Sequence, residues 1–174
     1  MHREAYAFVA RCLAALPPRR LVVELGSRWV NGGIRELLGD ATYIGVDLVP
    51  GRGVTVLADA ADYEGPGGVD TVIAGELLEH TPKGKAIVAH AYDMLQSGGV
   101  LIVTCATDPR AAHSGIDGGP VRPGEYYANV SERDLRAWLE PFDDVAVEMH
   151  TNRGDLYAMA RKGGVDGEAS LYDV

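Results

Sequence analysis

Acidic side chains recur in this chain just after short apolar runs, and two imidazoles stand near them in sequence. Glu24 lies in Val22-Val23-Glu24-Leu25-Gly26-Ser27, and Asp47 follows 21 residues after Gly26. Asp59, Glu76 and the pair Glu79-His80 come next, then Thr107, Asp108 and His113. Carboxylates can accept hydrogen bonds from sugar hydroxyls or hold an ammonium group; imidazoles can take a proton or bind a metal. Singly, each has a plainer reading: a glycine after a strand makes a turn, and an aspartate there caps a helix. Gathered along one rim, however, four like charges are costly unless something binds among them.

The turn after Leu25 discriminates between ligands. A pyrophosphate needs small residues and bare backbone N–H groups, as in G-x-G-x-x-G. Here the turn reads Gly26-Ser27-Arg28-Trp29-Val30-Asn31-Gly32-Gly33, and its acidic surroundings repel phosphate. Glu24 suits an ammonium group, and Asp47 has the spacing of a ribose ligand. A ligand with an adenosine end, an amino-acid end and no phosphate satisfies both, which describes S-adenosylmethionine. The same lack of pyrophosphate-binding glycines disfavours a nucleotide-dependent dehydrogenase.

Positioning these groups falls to five continuous apolar runs, Leu21–Leu25, Tyr43–Val46, Val54–Leu57, Val69–Ala74 and Val100–Cys105. Runs rich in Val, Ile and Leu without alternation mark strands buried on both faces. Tyr6, Val9, Ala10, Leu13 and Leu16 recur at helical spacing until Pro17-Pro18, giving an N-terminal helix within residues 1–18. Gly33–Leu38 and Pro82–Leu95 read as helices between strands, the second capped by Thr81 and ended by Gly98-Gly99. Ser131 opens a further helix as a capping box with Asp134, with Leu135, Trp138 and Leu139 inward. Val145–Met149 and Leu156–Ala160 read as an antiparallel hairpin.

The expectation is an α/β fold: a Rossmann-like, doubly wound, mainly parallel sheet of seven strands with a C-terminal antiparallel hairpin. It occupies residues 1–162 as a single domain, with a polar tail over 163–174 expected to be disordered. Residues 106–127 carry no apolar period, and a loop that long in one domain tends to be functional.

Composition narrows the partners. A chain of 174 residues with 47% hydrophobic and 24% charged residues is ordinary for a globular protein of one domain. Its net charge of −9 argues against a nucleic-acid duplex as main partner. No apolar run reaches the roughly 20 residues that span a bilayer, and the apolar N-terminus is broken by Arg11 with no cleavage site after it. Cys12 and Cys105, far apart, fit reduced thiols, so a cytoplasmic protein without membrane contact is expected.

VVELGS, YIGVDLVPG, VTVLADAADY, VDTVIAGELLEH and MLQSGGVLIVTC stand in the order and spacing that resemble the class I S-adenosylmethionine-dependent methyltransferases, over roughly residues 20–162. More narrowly they resemble the "type 11" group, where E-[LI]-G-S-x-x-V-N-G replaces D-x-G-x-G-x-G. The resemblance implies that Glu24 and the Gly26-Ser27 backbone hold the methionine end of S-adenosylmethionine, with Asn31-Gly32 closing the turn over it. It implies Asp47 on the ribose hydroxyls, Leu48 on one adenine face, Asp59 at the adenine amino group with the Ala60 backbone beside it, and Gly75 and Glu76 at the methionine amino group. S-adenosylhomocysteine would be the product. Arg28 and Trp29 depart from the glycine pattern, and their contacts cannot be inherited.

The methyl acceptor is left open: a small molecule, sugar or peptide end group, modified on O or N. His113, in the long loop, and His80 are the candidates for a general base. Against this, Glu79-His80 can simply start a helix and bond locally, and Tyr126 and Tyr127 can line the pocket or merely pack. Glu76-x-x-Glu79-His80 with His113 also resembles the metal-binding pattern of small-RNA 2′-O-methyltransferases, in which a divalent cation activates a ribose hydroxyl; a metal is not the leading expectation. A non-catalytic methyltransferase-like binding domain is the other alternative. So short a chain leaves little to build an acceptor pocket, so completion by a second copy in a homodimer enters the expectation.

Overall fold

Strand burial on both faces is realised first in β1, Leu21–Leu25, where Val22, Val23, Glu24 and Leu25 are all buried. The computed structural model describes residues 1–163. In it β1 pairs in parallel with β2 (Thr42–Asp47) on one side and β4 (Val69–Gly75) on the other. β3 (Val56–Leu57) flanks β2, and β5 (Leu95–Ala106) flanks β4, both in parallel. β6 (Asp144–His150) and β7 (Asp155–Arg161) form the hairpin, with β7 antiparallel to β5. The sheet order is β3-β2-β1-β4-β5-β7-β6. The chain leaves β1 toward β2 and later returns past it to β4, so the two neighbours of β1 diverge at their carboxyl ends. Ligands of doubly wound sheets sit in that crevice.

Both faces are covered. α1 (Arg3–Ala15) lays Ala5, Phe8, Val9, Cys12 and Leu13 on one face with Ile34, Ile73, Ile102 and Tyr157. On the other, Ile87, Val88, Ala91 and Met94 of α2 (Gly84–Met94) and Leu135 of α3 (Glu132–Trp138) pack over Val23, Val72, Leu101 and Val103. Ser131 caps α3 by accepting the Asp134 N–H at 3.0 Å and donating to its carboxylate at 2.7 Å. No helix among the described residues is long and apolar enough to cross a membrane.

Three local expectations are corrected. The helix expected over Gly33–Leu38 is a single 3-10 turn, Arg35–Leu38. Between Gly32 and Gly39, both at positive φ, too few residues remain for a longer helix, and α1 covers that part of the sheet instead. The helix expected from Pro82 starts at Gly84, because Thr81 Oγ1 takes the Lys83 N–H at 3.1 Å in a local turn and leaves Lys83 at the cap. It ends at Met94, before Gly98-Gly99, because Leu95 already pairs with Val69 as the first residue of β5. The third strand keeps only Val56–Leu57 of the expected Val54–Leu57. At the tail, Gly163 donates its N–H to Asp143 at 2.6 Å, and residues 164–174 lie outside the described residues.

Candidate cofactor and acceptor site

A cavity of about 680 Å³ opens at the carboxyl ends of β1, β2 and β4. The turn after β1 reverses at Gly26, whose φ of +74° is a conformation that side chains resist. Both Gly26 and Ser27 donate their N–H to Val46 O, at 2.9 and 3.0 Å, tying the turn to β2. Glu24, Gly26, Ser27, Asn31, Gly32, Asp47, Gly75 and Glu76 all border the cavity.

Asp47 organises this wall. Its Oδ2 accepts the Arg28 N–H and its Oδ1 the Val49 N–H, both at 3.0 Å. Each carboxylate oxygen keeps acceptor capacity for a hydroxyl. Glu24 is 4% exposed and accepts a hydrogen bond from the Tyr43 hydroxyl. Burial pushes its carboxyl up to about 7, with the Tyr43 bond acting the other way. Glu76 follows β4 at φ +53°, an unusual conformation for a non-glycine residue, and its Oε1 is buried without a hydrogen-bond partner.

The adenine end differs. Leu48, Asp59 and Ala60 do not line the cavity: Leu48 is 69% exposed and Ala60 is buried. Asp59 is held by Lys83 Nζ at 2.8 Å and accepts the Ala61 N–H at 2.9 Å. Those contacts, the Lys83 bond first, hold its carboxyl below the ordinary range. Val49, which the sequence did not single out, borders the cavity there.

Arg28 and Trp29 have separate roles. Trp29 lies where a side chain on Gly33 or Gly53 would collide with its indole, and the Arg52 guanidinium covers its ring at 4.2 Å. It shapes the turn. Arg28 instead reaches the long loop, donating from Nη2 to Ile116 O at 3.1 Å and Gly115 O at 3.4 Å.

That loop forms the opposite wall. Ala128 N–H donates to Glu79 O and Val130 N–H to Ala106 O, bringing the segment across the ends of β4 and β5. His80, His113 and Tyr127 meet edge to face, with ring centroids 4.9–5.5 Å apart. One ligand atom each from Glu79, His80 and His113 lies within 4.8 Å of the others; Glu76 is not in that group. Glu79 is fully buried, accepts the Ala106 N–H at 3.1 Å through Oε1, and leaves Oε2 without a partner. Burial, then the Glu76 charge, pushes its carboxyl well up. Burial, then His113, lowers His80 to about 4, so this ring is neutral at physiological pH. His80 Nδ1 is buried and unpartnered.

Met1, His2, Arg110, Ser114 and Glu125 also border the cavity. Sequence reasoning missed them because nothing in local spacing marks them. Only the apolar start of α1 and the length of the loop pointed toward their segments. His2 Nε2 lies 3.4 Å from both Glu76 Oε2 and Asp155 Oδ1.

No family model and no curated protein sequence matches the chain. Solved structures do. DhpI in complex with S-adenosylhomocysteine aligns at TM-score 0.68 and 23% identity, over 93% of this chain and 85% of that one. The Burkholderia thailandensis 1,6-didemethyltoxoflavin-N1-methyltransferase, with its substrate and S-adenosylhomocysteine bound, aligns at 0.65 and 17%, over 93% and 78%. The N-methyltransferase NodS from Bradyrhizobium japonicum, with S-adenosylhomocysteine, aligns at 0.66 and 15%, over 93% and 87%. Likeness at these identities is a likeness of fold.

Proposed function

From a chain with the class I S-adenosylmethionine-dependent methyltransferase fold, we propose an enzyme that binds S-adenosylmethionine and transfers its methyl group to an O or N atom of a small molecule, sugar or peptide end group. The observation that carries this reading is the meeting of Glu24, Asp47, Glu76 and the Gly26–Gly32 turn on one cavity at the switch point of the sheet. The cavity suits the group at its amino-acid and ribose ends. Glu24 and the unpartnered Glu76 Oε1 offer carboxylate oxygens for an ammonium, and Asp47 retains acceptor capacity for two hydroxyls. At the adenine end Val49 borders the cavity, Leu48 is exposed outside it, and Asp59 is engaged by Lys83.

When bound, S-adenosylmethionine supplies an electrophilic methyl group on a sulfonium. The chain's own task is to hold the acceptor in line with it and exclude water. His113, on the loop wall of the cavity, is the group assigned to accept the proton of the acceptor. Calorimetry with S-adenosylmethionine and with S-adenosylhomocysteine tests the reading. Absence of binding at millimolar concentration removes it, while binding without turnover over a broad acceptor panel leaves a non-catalytic binding domain.

The approach of Glu79, His80 and His113 to within 4.8 Å favours a second reading, in which a divalent cation held there activates a hydroxyl, as in RNA 2′-O-methylation. Metal analysis of protein purified without a nickel column, and assays with and without chelator, separate the two. Activity that survives chelation rejects the metal. A small-molecule acceptor, a cytoplasmic location and a homodimer that completes the pocket remain part of the proposal.

A further inference from the structure

Resting on the cofactor reading above, we propose that the acceptor is an amine, recognised as its ammonium by Glu125 in the loop wall and relieved of one proton by His113 before its nitrogen lone pair can act as the nucleophile. With Glu24, Asp47 and Glu76 assigned to the cofactor, Glu125 is the carboxylate of the cavity that remains. Its Oε1 accepts the Ser114 hydroxyl at 2.9 Å, and Ser114 is itself buried, so the carboxylate is fixed in place. Its Oε2 is buried and has no hydrogen-bond partner. A buried carboxylate oxygen left without a donor carries a desolvation cost that an N–H donor removes, and a charged donor removes best.

The rest of the lining bears on the charge of the acceptor. Four carboxylates, Glu24, Asp47, Glu76 and Glu125, stand with three cations, Arg28, Arg110 and the Met1 α-ammonium, whose charge reaches Glu24. Arg28 directs its guanidinium at the carbonyls of Gly115 and Ile116, and Arg110 is paired with Asp155. An anionic acceptor reaching Glu125 would set like charges together. Tyr126, adjacent to Glu125, also lines the cavity and is 43% exposed, which offers a cation a ring face. An alcohol could donate to Glu125 as well, but brings no charge to oppose it.

The test uses protein first titrated with S-adenosylhomocysteine, then saturated with it, and three probes of one shape: phenethylamine, 2-phenylethanol and 3-phenylpropanoate. Calorimetry is expected to show the amine binding about tenfold more tightly than the alcohol, the gain of a charge-assisted hydrogen bond, with the carboxylate weakest. Glu125→Gln should cut amine affinity about tenfold, leave the alcohol unchanged, and keep S-adenosylhomocysteine affinity within about twofold. Equal binding of the three probes, no binding of the amine, preference for the carboxylate, or an equal loss of amine and alcohol in Glu125→Gln overturns the proposal. If S-adenosylhomocysteine itself does not bind, the cofactor reading fails first and takes this one with it; the initial titration tells the two failures apart.

Discussion

The two walls of the cavity differ in how fully their carboxylates are satisfied. On the β1–β2 wall both oxygens of Asp47 accept backbone N–H groups, Glu24 accepts the Tyr43 hydroxyl, and Val46 O receives the N–H groups of Gly26 and Ser27. On the wall made by the end of β4 and the long loop, Glu76 Oε1, Glu79 Oε2, His80 Nδ1 and Glu125 Oε2 are buried without partners. The first wall is rigid by its own bonding, so it can preorganise a ligand that is always the same. The second holds polar atoms whose desolvation is uncompensated until something arrives. Acceptor specificity belongs with Glu125 on the second wall, since Glu76 serves the cofactor and a wrong acceptor leaves Glu125 Oε2 unpaired.

The hardest blow to this division is Asp47→Ala. It removes the ribose acceptor and also releases the Arg28 and Val49 backbones, so affinity for S-adenosylhomocysteine should fall by about two to three orders of magnitude in calorimetry. His113→Ala probes the other wall: turnover should drop about a hundredfold, the contribution of a proton acceptor, with cofactor affinity unchanged. A matching loss of cofactor affinity would mean that the walls are not separate.

Protonation sharpens the contrast on the first wall. Glu24 titrates near 7, above its ordinary value of 4.5, and an ammonium ligand requires it ionised. Affinity for S-adenosylhomocysteine should therefore rise about tenfold between pH 6 and 8, the change expected for one group with that pKa. Without ligand the sign reverses. The folded state holds this proton more tightly than the unfolded one, so the stability contributed by Glu24 is present below about 4.5 and lost as pH rises through about 7. Tyr43→Phe, which removes the bond that favours the ionised form, should move both midpoints upward. The smallest effect is expected where the walls touch. Arg28→Ala loses an exposed bond to the loop carbonyls, and should accelerate hydrogen exchange over residues 113–118 while raising the acceptor KM only about threefold.

Much of this was legible from order and type of residue. Leu21–Leu25 and Val100–Cys105 are strands because unbroken apolar runs can be buried on both faces, and Glu24, Asp47 and Glu76 border one cavity because carboxyl ends of parallel strands share an edge. Asp59 does not border that cavity and pairs with Lys83, 24 residues away, a contact that no local spacing reveals. The helix expected over Gly33–Leu38 failed for a related reason: α1, from an earlier part of the chain, already covers the surface that helix would have buried.

Residue order alone sets the periodicity that makes the sheet and the spacing that puts acids at its edge. Tertiary structure decided which of those acids are spent on the protein and which are left for a ligand. His80 meets His113 across 33 residues, and Glu125 meets Ser114 across a loop with no apolar period. Burial, which exists only once the sheet and its covering layers have closed, shifts Glu24 and His80 from their ordinary values and gives the site its chemistry.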